Sequence, residues 1–241
     1  QGNACRLDWE EVCPKNENDE IYILGNPPYV GSRKQNKKQK EDLKLNFEHL
    51  KRYKDLDYIA CWFFKGSLYI RDTKNKLSFV STNSICQGLQ VSLLWPHILK
   101  NKIVINFAHL SFKWQNNAKS NAAVTVIIIG LSDLNFSKGG QIIKDNYYTK
   151  VNEINGYLIS GKSDTFIFSR TNQLSGLPKI NHGNMPADGG HFLFTTDEKN
   201  DFILKEPRSN LWFKRILSAR EHLNGRERWC LWLEDIELNQ I

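Results

Sequence analysis

An Asn-Pro-Pro-Tyr tetrapeptide, Asn26 to Tyr29, is the stretch of this sequence whose residue types could do chemistry. Asn26 precedes a proline, which pushes its backbone toward extended geometry, and Pro27 itself has a fixed φ. Pro27 and Pro28 bring no N–H donors, so local carbonyl groups are not drawn into a helix. The side-chain oxygen of Asn26 and the carbonyl of Pro27 can therefore point at one amino group, while the Tyr29 ring stacks on a planar base.

This arrangement suits methylation of an exocyclic amine such as N6 of adenine. Such an amine is a poor nucleophile because its lone pair is delocalised into the ring. Two acceptors on its hydrogens favour a pyramidal nitrogen with the lone pair turned toward an electrophile, so positioning would supply most of the rate. A base inside a duplex is out of reach, so it must be flipped out and stacked on aromatic side chains.

A stiff turn after a strand is the alternative interpretation of the tetrapeptide. The preceding apolar run, Ile21 to Leu24, predicts a short buried strand that stops at Gly25 and the prolines. A chance match to a pattern of Asp, Asn or Ser followed by Pro-Pro and an aromatic residue, in 241 positions, has odds of roughly one in a hundred, since proline makes up about 5% of residues. The pattern therefore favours a chemical site.

A basic run follows the tetrapeptide and occupies eight positions, with its cations at Arg33, Lys34, Lys37, Lys38 and Lys40. It supplies much of the net charge of +7 and of the pI near 9.1, which suggests a polyanionic partner. A solvated loop is the alternative, but the position beside a candidate site favours contacts with the phosphates of double-stranded DNA. Such contacts weaken steeply with salt.

Composition excludes several other classes of protein. A hydrophobic content of 40% supports a packed core and argues against global disorder. The longest apolar runs, such as Val124 to Ile129, have strand length and are far too short to span a membrane. Five cysteines without a C-x-x-C pair argue against a disulfide framework or a zinc site and fit a reducing cytoplasm.

The elements that must position the tetrapeptide follow from apolar periodicity. After the strand at 21–24, the pattern predicts a helix at 57–70, a strand at 76–82, a helix at 89–99 and strands at 102–110 and 122–130. This order describes one side of an α/β sheet. After Leu131 the sequence becomes turn-rich and mixed, with a further helix predicted over Glu206–Leu217. We therefore predict a first domain over 1–135 and a second over 136–241.

Several segments resemble amino-group DNA methyltransferases that use S-adenosylmethionine (SAM), in which "NPPY" is the catalytic motif. The segment "GNACRLDW" resembles the upstream motif that meets the SAM adenine, a role that would fall to Asn3 with Ala4 beside it. The segment "FAHLSFKWQNNAKSNAAVTVIIIG" resembles the late motif that supplies a second aromatic ring for the flipped base. Phe112 and Trp114 both qualify for that ring.

One branch of these enzymes fits closely, the MmeI-like single-chain restriction–modification enzymes, through "FVSTNSICQGLQVSLLWP", "GNMPADGG" and "RERWCLWL". In that branch a nuclease and a helical spacer precede the methyltransferase, and a target-recognition domain follows it. The resemblance implies that 1–135 is the C-terminal part of a Rossmann-like methyltransferase sheet. It implies that 136–241 is a mixed α+β part of the target-recognition region, and that the substrate is adenine N6 in a specific DNA sequence.

The family's Gly-rich SAM loop should precede Gly2, and this sequence contains no such strand-to-helix turn. The chain also begins without Met, so we expect a fragment of a longer bacterial or archaeal polypeptide, inactive in isolation because the main SAM pocket lies elsewhere. Two other functions stay open: a DNA-recognition module without catalysis, and methylation of RNA or of a protein glutamine by the same tetrapeptide. The basic run and the recognition-region resemblance favour DNA.

Overall fold

The computed structural model of this chain describes residues 2–16, 19–114, 124–170, 172, 174–177 and 188–234. Its contacts divide the chain into two units, Gln1–Asn172 and Gln173–Ile241. The tetrapeptide, the basic run and Phe112 all belong to the first unit.

The first unit is built around a six-stranded mixed sheet. Its strands are β1 (Tyr22–Gly25), β2 (Lys76–Thr82), β3 (Ile103–Trp114), β4 (Val124–Asp133), β5 (Gly140–Lys144) and β6 (Tyr147–Val151). Their order across the sheet is β1-β2-β4-β3-β5-β6. β1 is parallel to β2 and β3 is parallel to β5, whereas β4 is antiparallel to both β2 and β3. The strands β1, β2, β3 and β5 therefore all end at the same edge of the sheet, the carboxyl edge.

Four helices accompany this sheet in the described part of the unit: α1 (Trp9–Val12), α2 (Lys37–Phe47), α3 (Ala60–Ile70) and α4 (Gly88–Leu99). β2 alternates buried and half-buried residues, so Leu77 and Phe79 lie on the face that α3 covers. Phe63 of α3 stands edge-on to Phe79 with ring centroids 5.3 Å apart, and the Trp95 ring of α4 lies 5.8 Å from Phe63. Burying each such side chain contributes roughly 1.5–3 kcal/mol to folding.

The predicted α/β order is present in this unit, with two differences. The strand at 21–24 is not buried as predicted, because β1 lies at the edge of the described sheet and leaves Tyr22 and Leu24 exposed. The second difference is the length of β3. This strand was predicted to end at residue 110 but pairs with β4 as far as Trp114. Its register shifts twice, between Ile105 and Phe107 and between His109 and Phe112. Bulges of this kind break the two-residue alternation by which a strand is recognised in a sequence, so the pattern understated its length.

The second unit contains a three-stranded antiparallel sheet in the order β7-β9-β8. Its elements are β7 (Leu193–Phe194), α5 (Thr196–Lys205), β8 (Phe213–Ile216), α6 (Ala219–Asn224) and β9 (Arg228–Leu231). Phe194, Phe202 and Phe213 form its aromatic core, with ring centroids 5.1 Å apart for Phe194 and Phe213. Both helices begin with a capping box, at Thr195 and Ser218.

The prediction of a helix over Glu206–Leu217 is wrong. This segment forms a 3₁₀ turn over Pro207–Trp212, followed by β8. Pro207 is tolerated at the start of a helical turn because its missing N–H is not needed there. Phe213 is buried against the rings of the second unit, and this contact, which has no local signature, holds the following residues in the sheet.

Gly66 provides a test of the packing between α3 and β2. A Cβ atom at this position would lie 2.6 Å from Cδ2 of Leu77, which is itself buried. We expect Gly66→Ala to lower the free energy of unfolding by about 1–3 kcal/mol, because the helix or Leu77 must shift. Urea unfolding measures this, with Gly31→Ala as the control, since a Cβ there meets no atom within 4 Å. Equal stability of the two variants would contradict the close packing.

Candidate functional site

The tetrapeptide directly follows β1 at the carboxyl edge. β1 pairs with β2 as far as Gly25, which lies opposite Phe79. Prolines cannot donate to a strand ladder, so the chain leaves the sheet at this point. Asn26 and Pro28 are exposed, Pro27 is buried, and Tyr29 packs half-buried against the core.

The two predicted acceptors of the tetrapeptide differ in exposure, since Asn26 is exposed and Pro27 is buried. Within the described residues, neither the Asn26 side chain nor the Pro27 carbonyl forms a hydrogen bond with the protein. Asn26 is exposed, so its amide oxygen is open to a molecule that approaches the carboxyl edge. Neither acceptor has to break a hydrogen bond with the described residues before it accepts one from a ligand.

Two buried polar side chains hold the residue that follows Tyr29. The Val30 N–H donates to Oδ1 of Asp57 at 2.9 Å, and the Val30 carbonyl accepts from Nε2 of Gln35 at 2.8 Å. The same carbonyl accepts from the Tyr58 N–H at 3.1 Å. Asp57 and Gln35 are only 4% and 6% exposed, so water does not compete for these bonds. The backbone beside the Tyr29 ring is therefore fixed.

Asp57 was not among the residues predicted from the sequence. It lies just before the apolar run of α3, and its Oδ1 also accepts from the Ile59 N–H at 3.3 Å. An aspartate before an apolar helical stretch is the usual signal of a helix N-cap. That signal identifies the helix start, but the second bond, to Val30 in a distant loop, has no counterpart in the local sequence.

A cavity of about 460 Å³ opens beside the tetrapeptide. Its lining includes Ala4, Trp9, Asn26, Pro27 and Trp62. The volume lies within the range of small-molecule sites, and the mainly apolar and aromatic lining suits a flat ring. The structure thus brings Ala4, which was predicted to lie near a cofactor, together with the first half of the tetrapeptide.

The exposed Asn3 side chain takes part in a hydrogen-bond network centred on the buried Asp42 of α2. Its Nδ2 donates to Asp42 at 2.8 Å, and its Oδ1 accepts from the Cys5 N–H at 2.9 Å. Asp42, only 1% exposed, also accepts from the Tyr58 hydroxyl and from Nε of Arg6, both at 2.6 Å. The network ties the segment that borders the cavity to α2 and to the start of α3.

The pKa of Asp42 reflects two opposing effects. Burial by itself raises the pKa of the carboxyl, because it disfavours the charged form. The hydrogen bonds from Tyr58, Arg6 and Asn3 outweigh burial and hold the pKa below its ordinary value. Asp42 is therefore an ionised acceptor at neutral pH.

Phe112 lies near the end of β3, at the same carboxyl edge as the tetrapeptide. It pairs with Val126 of β4, which in turn pairs with Thr82 at the end of β2. Three strand spacings separate β1 from β3, which amounts to about 14 Å. The Phe112 ring is half-buried and stands edge-on to His109, with centroids 4.6 Å apart. The side chain of the other predicted aromatic, Trp114, lies outside the described residues.

The predicted phosphate-binding residues form one exposed surface after the tetrapeptide. Arg33 and Lys34 lie on a 3₁₀ turn, and the other three, Lys37, Lys38 and Lys40, lie on the first turn of α2. In the part of the chain that the structure describes, none of the five forms an ion pair. A groove of about 1010 Å³ runs along this surface and is also lined by Lys44 and Lys54. Positive charge therefore lies on one side of the candidate site.

Among the described residues, no group of three or more His, Cys, Asp or Glu side chains is placed to hold a metal ion. No helix in that part of the chain is long and apolar enough to cross a membrane.

Comparison with protein families identifies both parts of the chain. Residues 1–143 match the family model "MmeI, DNA-methyltransferase domain", and residues 161–241 match "MmeI, target recognition domain". The first match covers more than half of the chain and defines its class, a DNA-methyltransferase domain. The chain belongs to the MmeI family.

Two relatives agree with this assignment. DNA methyltransferase A of Bacillus subtilis (strain 168) is 46% identical over 239 residues, which are 99% of this chain and 27% of that protein. The solved structure of the Type IIL restriction-modification enzyme MmeI in complex with DNA superposes with a TM-score of 0.90 at 42% identity. That match covers 99% of this chain and 32% of the MmeI chain, so this chain spans about a third or less of its relatives. The predicted resemblance and the α/β fold class are confirmed.

Proposed function

We propose that this chain is the methyltransferase region of a restriction–modification enzyme that methylates adenine N6 at specific sites in double-stranded DNA, with SAM as the methyl donor. The observation that carries the proposal is the pair of unengaged acceptors on Asn26 and Pro27, held at the carboxyl edge beside a cavity. The similarity to a DNA methyltransferase and to a DNA-bound restriction–modification enzyme supports the choice of DNA. The enzyme would act in the cytoplasm of a bacterium or archaeon.

In this proposal the tetrapeptide holds the target base for an in-line transfer. The oxygens of Asn26 and Pro27 accept the two N6 hydrogens and keep the nitrogen lone pair directed at the methyl donor, while Pro28 removes a competing N–H. The Tyr29 ring stacks on one face of the flipped adenine, and Phe112 or Trp114 supplies a second aromatic contact. When bound, SAM would supply the methyl group to N6 and leave as a neutral thioether. One N6 proton would pass to water, because neither the Asn26 amide nor the Pro27 carbonyl is a base.

SAM, when bound, supplies a methyl group on a positively charged sulfur. The cavity beside the tetrapeptide fits part of this molecule, because Trp9 and Trp62 offer aromatic surfaces for an adenine ring and Asn26 lies at its border. Asn3 and Ala4 would flank the cofactor from the segment that Asp42 holds. The rest of the SAM site, with its Gly-rich loop, would come from residues outside this chain. We also propose that 1–135 is the C-terminal part of the methyltransferase, and that 136–241 is the connection to the target-recognition domain and the start of that domain.

A methyl-transfer assay on the complete polypeptide tests the proposed function. Labelled SAM is incubated with DNA, RNA and protein in parallel, and the modified nucleosides are identified by mass spectrometry. We expect label in DNA as N6-methyladenine. Label confined to RNA or to protein glutamine would contradict the choice of substrate. Failure of the complete polypeptide to bind SAM would support a DNA-recognition module without catalysis.

The basic surface leads to a prediction about the salt dependence of DNA binding. Each phosphate contact adds about 0.9 to the slope of log affinity against log salt concentration. If Lys37, Lys38 and Lys40 each contact one phosphate, their joint replacement by Gln lowers that slope by about 2.7. Fluorescence anisotropy with labelled duplex DNA over a salt series measures the change in the complete polypeptide.

The matched control for this experiment replaces three lysines at the opposite edge of the sheet. Lys100, Lys138 and Lys150 are exposed and, among the described residues, form no ion pair. Their joint replacement by Gln removes the same charge, and we expect the slope to stay within experimental error of the wild type. An equal fall in both triple variants would contradict a localised DNA contact and indicate a general effect of net charge.

A further inference from the structure

Side-chain hydrogen bonds continue along the carboxyl edge from the tetrapeptide toward the end of β3. Asp57 forms the first link: its Oδ1 accepts from the Val30 N–H at 2.9 Å, and its Oδ2 accepts from the Ser84 hydroxyl at 3.3 Å. The Ser84 hydroxyl also lies 2.7 Å from that of Thr82, the last residue of β2. The loop that carries the tetrapeptide is thus joined to the turn that follows β2.

The second link starts at Asn83, the neighbour of Ser84 in that turn. The Asn83 Oδ1 accepts from the Ser111 hydroxyl at 2.9 Å, and Ser111 directly precedes Phe112. At the other end, Val30 directly follows Tyr29. One series of hydrogen bonds therefore runs from Val30 to Ser111. Tyr29 is next to its first residue, and Phe112 is next to its last.

This link meets β3 at the point where its ladder with β4 is interrupted. The register shifts between His109 and Phe112, so Ser111 lies within a bulge. A bulge bends its strand and leaves its own residues without regular pairing. The ladder resumes at Phe112, opposite Val126, so the Ser111 bond acts on the bend directly before the ring. The bond from Ser111 to Asn83 connects the bulge to the end of β2, two strands away.

We propose that Asp57, Asn83 and Ser111 are positioning residues that set the separation of the Tyr29 and Phe112 rings so that a flipped base fits between them. This inference rests on the proposed function and assigns Phe112, rather than Trp114, to the second face of the base. Asp57 is buried and holds the Tyr29 end, whereas the Ser111–Asn83 bond is exposed. The exposed bond is the part that can be removed without disturbing the core.

The test is Ser111→Ala in the complete polypeptide, with Ser111→Thr as the conservative variant. We expect kcat for methyl transfer to DNA to fall about tenfold, since a displaced contact around reacting atoms is costly. The KM for DNA stays unchanged, because no contact with the duplex is lost. Ser111→Thr keeps the hydroxyl and restores kcat. The target base is first located by sequencing DNA that the wild-type enzyme has methylated, and 2-aminopurine is then placed at that position. We expect brighter 2-aminopurine fluorescence with Ser111→Ala than with the wild type, because a less firmly held Phe112 ring quenches it less.

Two further variants separate positioning from a general structural effect. Ser137→Ala removes another exposed hydroxyl bond, to the Gly139 carbonyl at 3.4 Å, at the opposite edge of the sheet, and it should leave kcat unchanged. Asp57→Asn removes one acceptor oxygen at the Tyr29 end. If both ends act through one connection, the fall in kcat of the Asp57→Asn/Ser111→Ala double variant is smaller than the product of the single effects.

Negative results would contradict either the positioning role or the proposed function, and the two can be told apart. Wild-type kcat in Ser111→Ala, in an enzyme that methylates DNA, would overturn the positioning role and leave the proposed function standing. Equal losses in Ser111→Ala and Ser111→Thr would also overturn it, because the hydroxyl would then not be the active feature. A wild-type enzyme that transfers no methyl group to DNA would overturn the proposed function itself.

Discussion

Asn26→Ala is expected to lower kcat for methyl transfer to DNA by about 10²–10³-fold, the usual effect of removing one preorganised polar group from a reacting centre. The physical reason is the loss of one of two acceptors that pyramidalise the target nitrogen. Stability should not change, because the Asn26 side chain is exposed and forms no hydrogen bond within the described residues. Labelled methyl transfer, thermal unfolding and DNA affinity are measured on the same preparation of the complete polypeptide.

Two further variants are compared with Asn26→Ala, one conservative and one a control. Asn26→Asp keeps acceptor oxygens in the same place, so its kcat should lie between those of the wild type and Asn26→Ala. Asn135→Ala removes an exposed asparagine from a turn at the opposite edge of the sheet and should leave kcat unchanged. Wild-type methylation by a folded Asn26→Ala protein would sink the assignment of the tetrapeptide as the catalytic site.

The second large effect is expected for Asp42→Ala, which should reduce the free energy of unfolding by about 3 kcal/mol. The substitution leaves the buried hydroxyl of Tyr58 and the amide of Asn3 without their acceptor. It should also weaken SAM binding by the complete polypeptide, because the segment that borders the cavity loses its attachment to α2. Urea unfolding and calorimetric titration with SAM measure the two effects. Asp164→Ala, at an exposed position, is the control.

The same residue predicts how stability changes with pH. The pKa of Asp42 is depressed in the folded protein, so its contribution is present above the ordinary pKa of 3.8 and is lost as pH falls through the lower folded value. Asp42→Asn removes this titration. The stability difference between wild type and Asp42→Asn should therefore be constant at neutral pH and shrink below about pH 4. A difference independent of pH down to pH 2 would contradict an ionised, hydrogen-bonded Asp42.

Much of the sheet could be predicted from the sequence because its signals are local. β2 was predicted with the observed bounds, Lys76–Thr82, since its buried residues alternate without interruption. The 3₁₀ turn and strand at 207–216 were not predicted, because Phe213 is held by rings that lie elsewhere in the chain. β3 falls between these cases: its start was predicted within one residue, but its end was not, because two register shifts interrupt its pairing with β4.

By itself, the sequence determined the chemistry that is available: two acceptors and a ring in four residues, a basic run after them, and a family whose members carry the same motif. Those properties depend on residue type and on neighbours along the chain. Only the tertiary structure decided which groups stay free and which are engaged. The Asn3 amide is taken up by Asp42, whereas the Asn26 amide is not.

The tetrapeptide and Val30 acquire their geometry from residues outside this stretch. Asp57 and Gln35 hold Val30, and strand register brings Phe112 to the same edge. Hydrogen bonds between residues such as Val30 and Asp57, 27 positions apart, depend on how helices and strands pack. Local composition does not encode that packing. The sequence could therefore suggest the residues of the candidate site but not the residues that support them.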